Sequence, residues 1–461
     1  MSKFKGKKVL VVGFGLSGVA VARYMSKQGA KVMVTDLKQK SELTESVSAC
    51  ADLKVEYELG RHNQKSFLTA DLIVVSPGVP LNIKPLEEAA VAKVPITNEI
   101  ELAASALKEP LIAITGTNGK TTTTILVGEM FQADKKPAYV GGNIGKPLLN
   151  YVNSGEKVDV VISELSSFQL DLTQKLVPAV AVFTNIEEDH LDRYGSFQNY
   201  IESKKRLLKN CDKNSFVILN YDNSNVAAFA AETPGKVLWF TKQNPMTIGG
   251  RFAEEFMGAY YIPETKKIIA KITGKDESYD VSQLKIFGDH NKENLMAAIC
   301  TARVMGVSPQ AIQTVINTFK GVPHRLEFVR KKDGVYFFND SKGTNVMSLQ
   351  RSLAAFNSKN QIILVAGGKD KGMDFTPLAD LVRKKCKIII LVGEAKEKLN
   401  RALGDCAETF LVGTFEEAIL LAYQKSRNGD IILLSPGCAS YDMFRNYEER
   451  GDYFKKLVNQ L

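Results

Sequence analysis

The chain has 461 residues, of which 44% are hydrophobic and 24% charged, and carries a formal net charge of +9. That is too long for one hydrophobic core, and at about 150 residues per domain it predicts three domains. The composition is that of a globular protein, without low-complexity tracts, leader-like start or apolar runs near the ~20 residues of a membrane span; disordered, fibrous and membrane-embedded classes are excluded and a cytoplasmic protein is expected.

The basic residues are spread along the chain. Runs such as Lys331-Lys332 and Lys384-Lys385 are short, and no recognition motif accompanies them. Small phosphorylated ligands suit the charge as well as nucleic acid does, and a plain solvated surface suits it best. Six cysteines without any CxxC spacing read as reduced thiols rather than a disulfide frame or zinc site.

In chain order, β-branched apolar runs occupy 9–12, 32–35, 72–76, 111–115, 158–163, 180–184, 361–366, 388–392 and 431–435, with helix-like stretches between them. This alternation predicts α/β domains with mainly parallel sheets, whose ligand sites lie at the carboxyl ends of the strands. The breaks near 98 and at Lys320-Gly321-Val322-Pro323 divide the chain into 1–98, 99–321 and 322–461. The stretch 237–282, rich in aromatic and β-branched residues and turn signals, reads as a small antiparallel excursion from the middle domain.

The first strand runs into Gly13-Phe14-Gly15-Leu16-Ser17-Gly18, and Asp36 ends the next strand. In this context glycines let backbone N–H groups approach a diphosphate at a helix N-terminus, as in a dinucleotide fold, although the turn itself says nothing about hydride chemistry. Glycine needed only for packing is the plainer reading. The strand at 111–115 leads into Gly116-Thr117-Asn118-Gly119-Lys120-Thr121-Thr122, a GxxGKT loop shorter than the commonest phosphate loops. Its backbone can cradle phosphate, Lys120 can neutralise charge, and the Thr121 hydroxyl can ligate Mg²⁺, so ATP is the natural ligand.

Glu164 ends the strand that follows, where a carboxylate suits a cation beside Thr121. His190, one of four histidines, sits in the polar segment from Asn185 to Asp192 after the strand at 180–184. By itself it would be an ordinary loop histidine; its place beside the other strand ends makes it a site candidate. Asn291 and Asn294 are three residues apart and so share a helix face from which they could grip a base, with helix capping by Asp289 or Asn291 as the alternative. The last domain supplies polar loops at His324-Arg325, at 339–345, at 367–372 and at 435–442.

Together these stretches resemble the Mur ligases of peptidoglycan precursor synthesis over essentially the whole chain. The GTNGKTT loop, the segment around His190, and the HNKEN and HRLE motifs resemble the superfamily generally. ELSSFQL, DSKGTN and SPGCASYDMF are closer to its D-glutamate-adding member. The resemblance implies a Rossmann-like N-terminal domain whose glycine turn holds UDP rather than NAD, a phosphate-loop ATPase-like central domain and a Rossmann-like C-terminal domain. It implies an ATP-dependent ligase joining D-glutamate to UDP-N-acetylmuramoyl-L-alanine, acting as a monomer.

The resemblance also assigns residues. Leu16, Ser17 and Ser76 lie near the uridine diphosphate, and Asn143 and Gln169 near the muramoyl group. Residues Gly116, Thr117, Asn118, Gly119, Lys120, Thr121 and Thr122 hold the ATP phosphates, with Asn291, Asn294, Arg325 and Asp340 on adenine and ribose. Thr121, Glu164, His190 and Lys204 hold two Mg²⁺ ions, Lys204 as a carbamate; from its sequence context Lys204 reads only as a solvated helix residue. Lys342, Thr344, Lys371, Ser440, Tyr441 and Tyr447 form the glutamate pocket. Gly343 stands where the family often has Ala, and Tyr447 where Phe is common.

Overall fold

A computed structural model describes residues 3–286, 288–356, 360–370 and 372–461. The chain divides into two compact units, Met1–Ser282 with Lys292–Ile316, and Gln283–Asn291 with Asn317–Leu461. The first unit holds two sheets and the second holds one.

The first sheet contains β1 (Lys8–Val12), β2 (Lys31–Asp36), β3 (Val55–Leu59), β4 (Leu72–Val75) and β5 (Ile96–Asn98) in the order 3-2-1-4-5, all parallel. The order reverses between β1 and β4, which brings the glycine turn after β1 beside the turn after β4. Ser76 Oγ donates to Gly13 O at 2.9 Å across that switch point.

The second sheet has nine strands: β6 (Leu111–Thr115), β7 (Ala138–Gly142), β8 (Val160–Glu164), β9 (Val180–Phe183), β10 (Phe216–Asn220), β11 (Lys236–Thr241), β12 (Gly258–Ile262), β13 (Lys267–Lys271) and β14 (Asp276–Asp280). They run in the order 14-13-12-11-10-9-6-8-7. Every residue of β6, β8 and β9 is buried, as continuous apolar strands covered on both faces should be. The expected antiparallel excursion is instead continuous with this sheet. β11 pairs in parallel with β10 and β12 in parallel with β11, so only the β12–β13 and β13–β14 pairings are antiparallel.

The third sheet, in the second unit, contains β15 (Glu327–Lys332), β16 (Val335–Asn339), β17 (Ile362–Gly367), β18 (Cys386–Val392), β19 (Glu408–Leu411) and β20 (Ile431–Leu434). Its order is 15-16-20-17-18-19, antiparallel only at the β15–β16 hairpin. The loops after β16, β20 and β17 are therefore neighbours. Among the described residues no helix is long and apolar enough to cross a membrane.

Glu99 opens the helix Glu99–Ala104 and is fully buried. Its Oε1 accepts from Leu149 N at 2.6 Å, in the first turn of helix Leu148–Ser154, while Oε2 is buried without a partner. Burial pushes its pKa up to about 7, against the lowering effect of the backbone donors. The folded state thus holds this proton more tightly than the unfolded chain, and stability falls as pH rises from the ordinary glutamate range to about 7. Glu99→Gln keeps an acceptor for Leu149 and removes the ionisation. In denaturant titrations across this range, the difference between wild type and variant should change by about 3 kcal/mol; parallel pH profiles would assign the linkage to another group.

Candidate active site

The carboxyl ends of β6, β8 and β9 converge on the loop 116–119. Gly116 adopts φ +148°, and a Cβ there would lie 1.9 Å from Thr184 Oγ1; Gly119 adopts φ +81°, and a Cβ there would meet Asn294 Oδ1 at 2.1 Å. Glycine is required at both places for conformation and for space. Helix Lys120–Ala133 begins directly after Gly119.

The loop is clamped by the segment after β9. Thr117 N donates to Asn185 O at 2.7 Å, Asn118 N to Asn185 Oδ1 at 2.9 Å, and Thr184 Oγ1 to Asn118 O at 2.5 Å. Asn118 Nδ2 reaches Glu187 Oε2 at 3.1 Å, and Thr117 Oγ1 lies 3.2 Å from Tyr200 OH. None of these tethers is readable from GxxGKT spacing, since each depends on which strand lies next to β6.

Two lysines meet at the head of this loop. Lys120 Nζ donates to Gly116 O and to Thr117 O, both at 3.0 Å, and Lys204 Nζ donates to Gly116 O at 2.8 Å. Lys204, on helix Phe197–Lys209, is 1% exposed and lies 4.6 Å from the centre of the Tyr200 ring. Burial first, and the neighbouring Lys120 second, hold its pKa well below the ordinary lysine value, against the pull of Asp189, Glu164 and Asp171. The reading of Lys204 as a solvated helix residue is therefore overturned: its helix turns this face inward beneath the loop.

Glu164 lies opposite Ile114 in the β6–β8 register and is buried. Its Oε1 accepts from Asn143 Nδ2 at 2.8 Å, while Oε2 has no partner. An unpartnered, buried carboxylate oxygen beside a phosphate loop is a cation ligand in chemical type. Among the described residues no cluster of three His, Cys, Asp or Glu forms a ready-made metal cage. Magnesium fits that arrangement, because it takes one or two protein oxygens and completes its shell with phosphate and water.

His190 caps helix Leu191–Tyr194 with φ +53°, a left-handed conformation unusual for a non-glycine residue. Its ring packs 4.8 Å from that of Phe168, whose face also takes the Arg193 guanidinium at 4.0 Å. Phe168, His190, Arg193, Asp171 and Arg206 line a cavity of about 710 Å³ together with Pro80, Leu81 and Asn82 from the loop after β4. Phe168 and Arg193 gave no isolated sequence signal.

At the first sheet, Leu16 is 74% exposed and Ser17 half-buried, both at the start of helix Leu16–Lys27. Asp36 Oδ2 accepts from Phe14 N at 2.7 Å, so this carboxylate holds the glycine turn itself. Gln169 caps its own short helix, with Oε1 accepting from Ser166 N at 3.0 Å. Asn294 is buried behind Gly119, where its Oδ1 is 3.5 Å from Thr123 Oγ1; Asn291 belongs to the second unit.

In the second unit, Asp340 is buried, accepting from Leu326 N, from Ser352 Oγ at 2.6 Å and from Ser435 Oγ at 2.8 Å. Burial raises its pKa to about 6 despite these donors. A Cβ at Gly343 would lie 2.5 Å from Asp340 Oδ2, so an alanine at that position requires this carboxylate to move. Lys342 Nζ stands 5.7 Å from the Tyr447 ring, and Arg325, Thr344, Ser440 and Tyr441 occupy the loops around these strand ends. Lys371 and the side chain of Asp192 lie outside the described residues.

Comparison with known proteins agrees with this layout. The model of the Mur ligase MurD-like N-terminal domain matches residues 7–98, that of the Mur ligase middle domain 114–302, and that of the Mur ligase glutamate ligase domain 324–438. The UDP-N-acetylmuramoylalanine--D-glutamate ligase of Geotalea uraniireducens is 46% identical over 99% of this chain and 98% of its own. That of Bdellovibrio bacteriovorus is 45% identical over 100% of this chain and 99% of its own. The solved UDP-N-acetylmuramate-alanine ligase of Thermotoga maritima shares the fold, with TM-score 0.57 and 18% identity, over 98% of this chain and 99% of its own.

Gly116→Ala should weaken ATP binding by about 10- to 100-fold, because the new Cβ must displace Thr184 and the loop it holds. Calorimetric titration of the folded variant with ATP is the check, and wild-type affinity would show that the loop does not need this glycine.

Proposed function

The chain belongs to the Mur ligase family, and on that footing we propose how its residues divide the work of the reaction. The enzyme is an ATP-dependent, amide-bond-forming ligase that adds D-glutamate to UDP-N-acetylmuramoyl-L-alanine in peptidoglycan precursor synthesis. An amine does not displace oxide from a carboxylate, so the γ-phosphoryl group of ATP first converts the alanyl carboxylate to an acyl phosphate. The amine of D-glutamate then attacks the acyl carbon, with ADP and phosphate as products.

The observation that carries the phosphate site is the pair of lysine Nζ atoms at Gly116 O. Burial beside Lys120 favours the neutral form of Lys204, so in this reading Lys120 is the amine that offers charge to a triphosphate, whose anionic oxygens are stronger acceptors than a neutral carbonyl. In this reading the backbone of 116–122 receives the phosphates, and Lys120 leaves its two carbonyls to follow the transferring group. Bound magnesium supplies charge neutralisation at that group. Thr121, Glu164, His190 and Lys204 are the residues proposed to hold two ions. Lys204 would do so as a carbamate, formed when the neutral amine that its burial favours adds to carbon dioxide and releases a proton.

Leu16, Ser17 and Ser76 at the β1–β4 switch point are assigned to the uridine diphosphate, and Asn143 and Gln169 to the muramoyl group. Asn291 and Arg325 are assigned to the nucleoside of ATP. Asn294 and Asp340 belong to the same assignment: Asn294 packs behind Gly119 with its Oδ1 3.5 Å from Thr123 Oγ1, and Asp340 accepts from Leu326 N ahead of β15. Lys342, Thr344, Lys371, Ser440, Tyr441 and Tyr447 are assigned to the amino acid. The domains are placed at 1–98, 99–321 and 322–461, supported by family matches at 7–98, 114–302 and 324–438. A monomer is proposed, as expected from the sequence. The cytoplasm is proposed as its location because ATP is consumed and all six cysteines are free thiols.

Phosphate release from ATP, measured with UDP-N-acetylmuramoyl-L-alanine and a panel of D- and L-amino acids, should respond to D-glutamate alone. Equal release without any amino acid would defeat the ligase reading. Lys204→Ala should lose most activity and regain part of it with added short carboxylic acids; full activity without them would eliminate the carbamate.

A further inference from the structure

Arg450, on helix Tyr447–Gln460, is 1% exposed, yet every acceptor it meets is neutral. Its Nε donates to Ser341 Oγ at 3.0 Å. One terminal nitrogen donates to Ala439 O at 3.3 Å, and the other to Ser341 O at 2.9 Å and Cys438 O at 3.1 Å. Removing a guanidinium from water is costly unless its donors are satisfied, so this geometry is held against a steep penalty. Burial lowers its pKa to about 10, which leaves it charged at neutral pH.

The bonds join segments that the sheet order brings side by side. Ser341 follows β16, and Cys438 and Ala439 follow β20. Ala439 O also accepts from Lys369 N at 2.9 Å, which ties in the segment after β17, and Gly368 comes so close that a Cβ there would lie 3.1 Å from an Arg450 nitrogen. Ser341 Oγ in turn donates to Tyr447 O at 2.8 Å. One buried planar fork thus fixes the relative positions of two loops, those after β16 and β20, with its donors spent on backbone carbonyls and one hydroxyl.

We propose that Arg450 is a positioning residue for the amino-acid substrate, setting the spacing of the loops that carry Lys342, Thr344, Ser440 and Tyr441. The inference rests on the assignment of those four residues to the amino acid. Ser341 immediately precedes Lys342, and Ala439 immediately precedes Ser440, so a shift at either carbonyl is passed to a proposed contact. Lysine at this position would keep the charge, but its point-like ammonium cannot span Ser341, Cys438 and Ala439 in one plane.

The test separates this role from plain stabilisation. In Arg450→Lys, KM for D-glutamate should rise at least about tenfold while KM for ATP moves by less than about twofold. Ser341→Ala, which removes the acceptor of Arg450 Nε together with the hydroxyl's bond to Tyr447 O, should move KM for D-glutamate in the same direction by about threefold, and it decides the matter if Arg450→Lys does not fold. An unchanged KM for D-glutamate, or equal rises for both substrates, in a variant whose thermal unfolding matches the wild type would overturn the proposal. Wild-type enzyme that does not respond to D-glutamate would instead defeat the assignment of the reaction, and the same comparison would then be made with the amino acid that does elicit phosphate release.

Discussion

The carbonyl oxygen of Gly116 accepts hydrogen bonds from two lysines, and much of the central site is organised around that convergence. A lysine brought out of water next to another cation is unstable unless its proton is lost or an anion arrives. The fold keeps Lys204 there by anchoring its helix: Ser203, the preceding residue, donates to Asp171 at 2.6 Å and to Ser167 O at 3.0 Å. The same helix brings Tyr200 against Thr117. Phosphate loop, buried amine and the strand-end carboxylate Glu164 are thereby held as one rigid group, which is how a site can offer charge compensation to a polyanion without reorganising around it.

The three sheets use one device. In each, a glycine or small-residue turn follows a central parallel strand and is fixed by a side chain from a neighbouring strand end: Ser76 on Gly13, Thr184 on Asn118, and Ser435 on Asp340. Parallel strands end on the same side, so such turns collect wherever neighbouring strands leave the sheet together. The first sheet also shows why a GxGxxG turn is not evidence of redox chemistry. Its acidic partner Asp36 binds the turn's own backbone at Phe14.

Much of the strand framework was legible in the sequence because fully buried parallel strands are continuous apolar runs. All nine runs picked out this way are strands, to within a residue or two at each end. The strands that escaped include β3, whose residues alternate with charge as VEYEL, and β5 and β19, where half-exposure dilutes the apolar signal; β10 and β16 escaped too, although both are apolar and mostly buried. The nine-stranded sheet's extension through β11 and β12 escaped because pairing partners are not encoded locally.

The sequence by itself determined the GxxGKT turn that opens helix Lys120–Ala133, the other glycine turns and the strand-end placement of Glu164 and His190, because each depends on residue types at fixed short spacing. Tertiary structure alone decided that Lys204 is buried against Gly116, that Asp340 is spent on Ser352 and Ser435, and that Arg450 joins the loops after β16 and β20. These facts rest on contacts between residues 12 to 109 positions apart. Short-range periodicity records which face of an element is buried; only strand order and register decide what that face meets, and with it which charges must share a low-dielectric space.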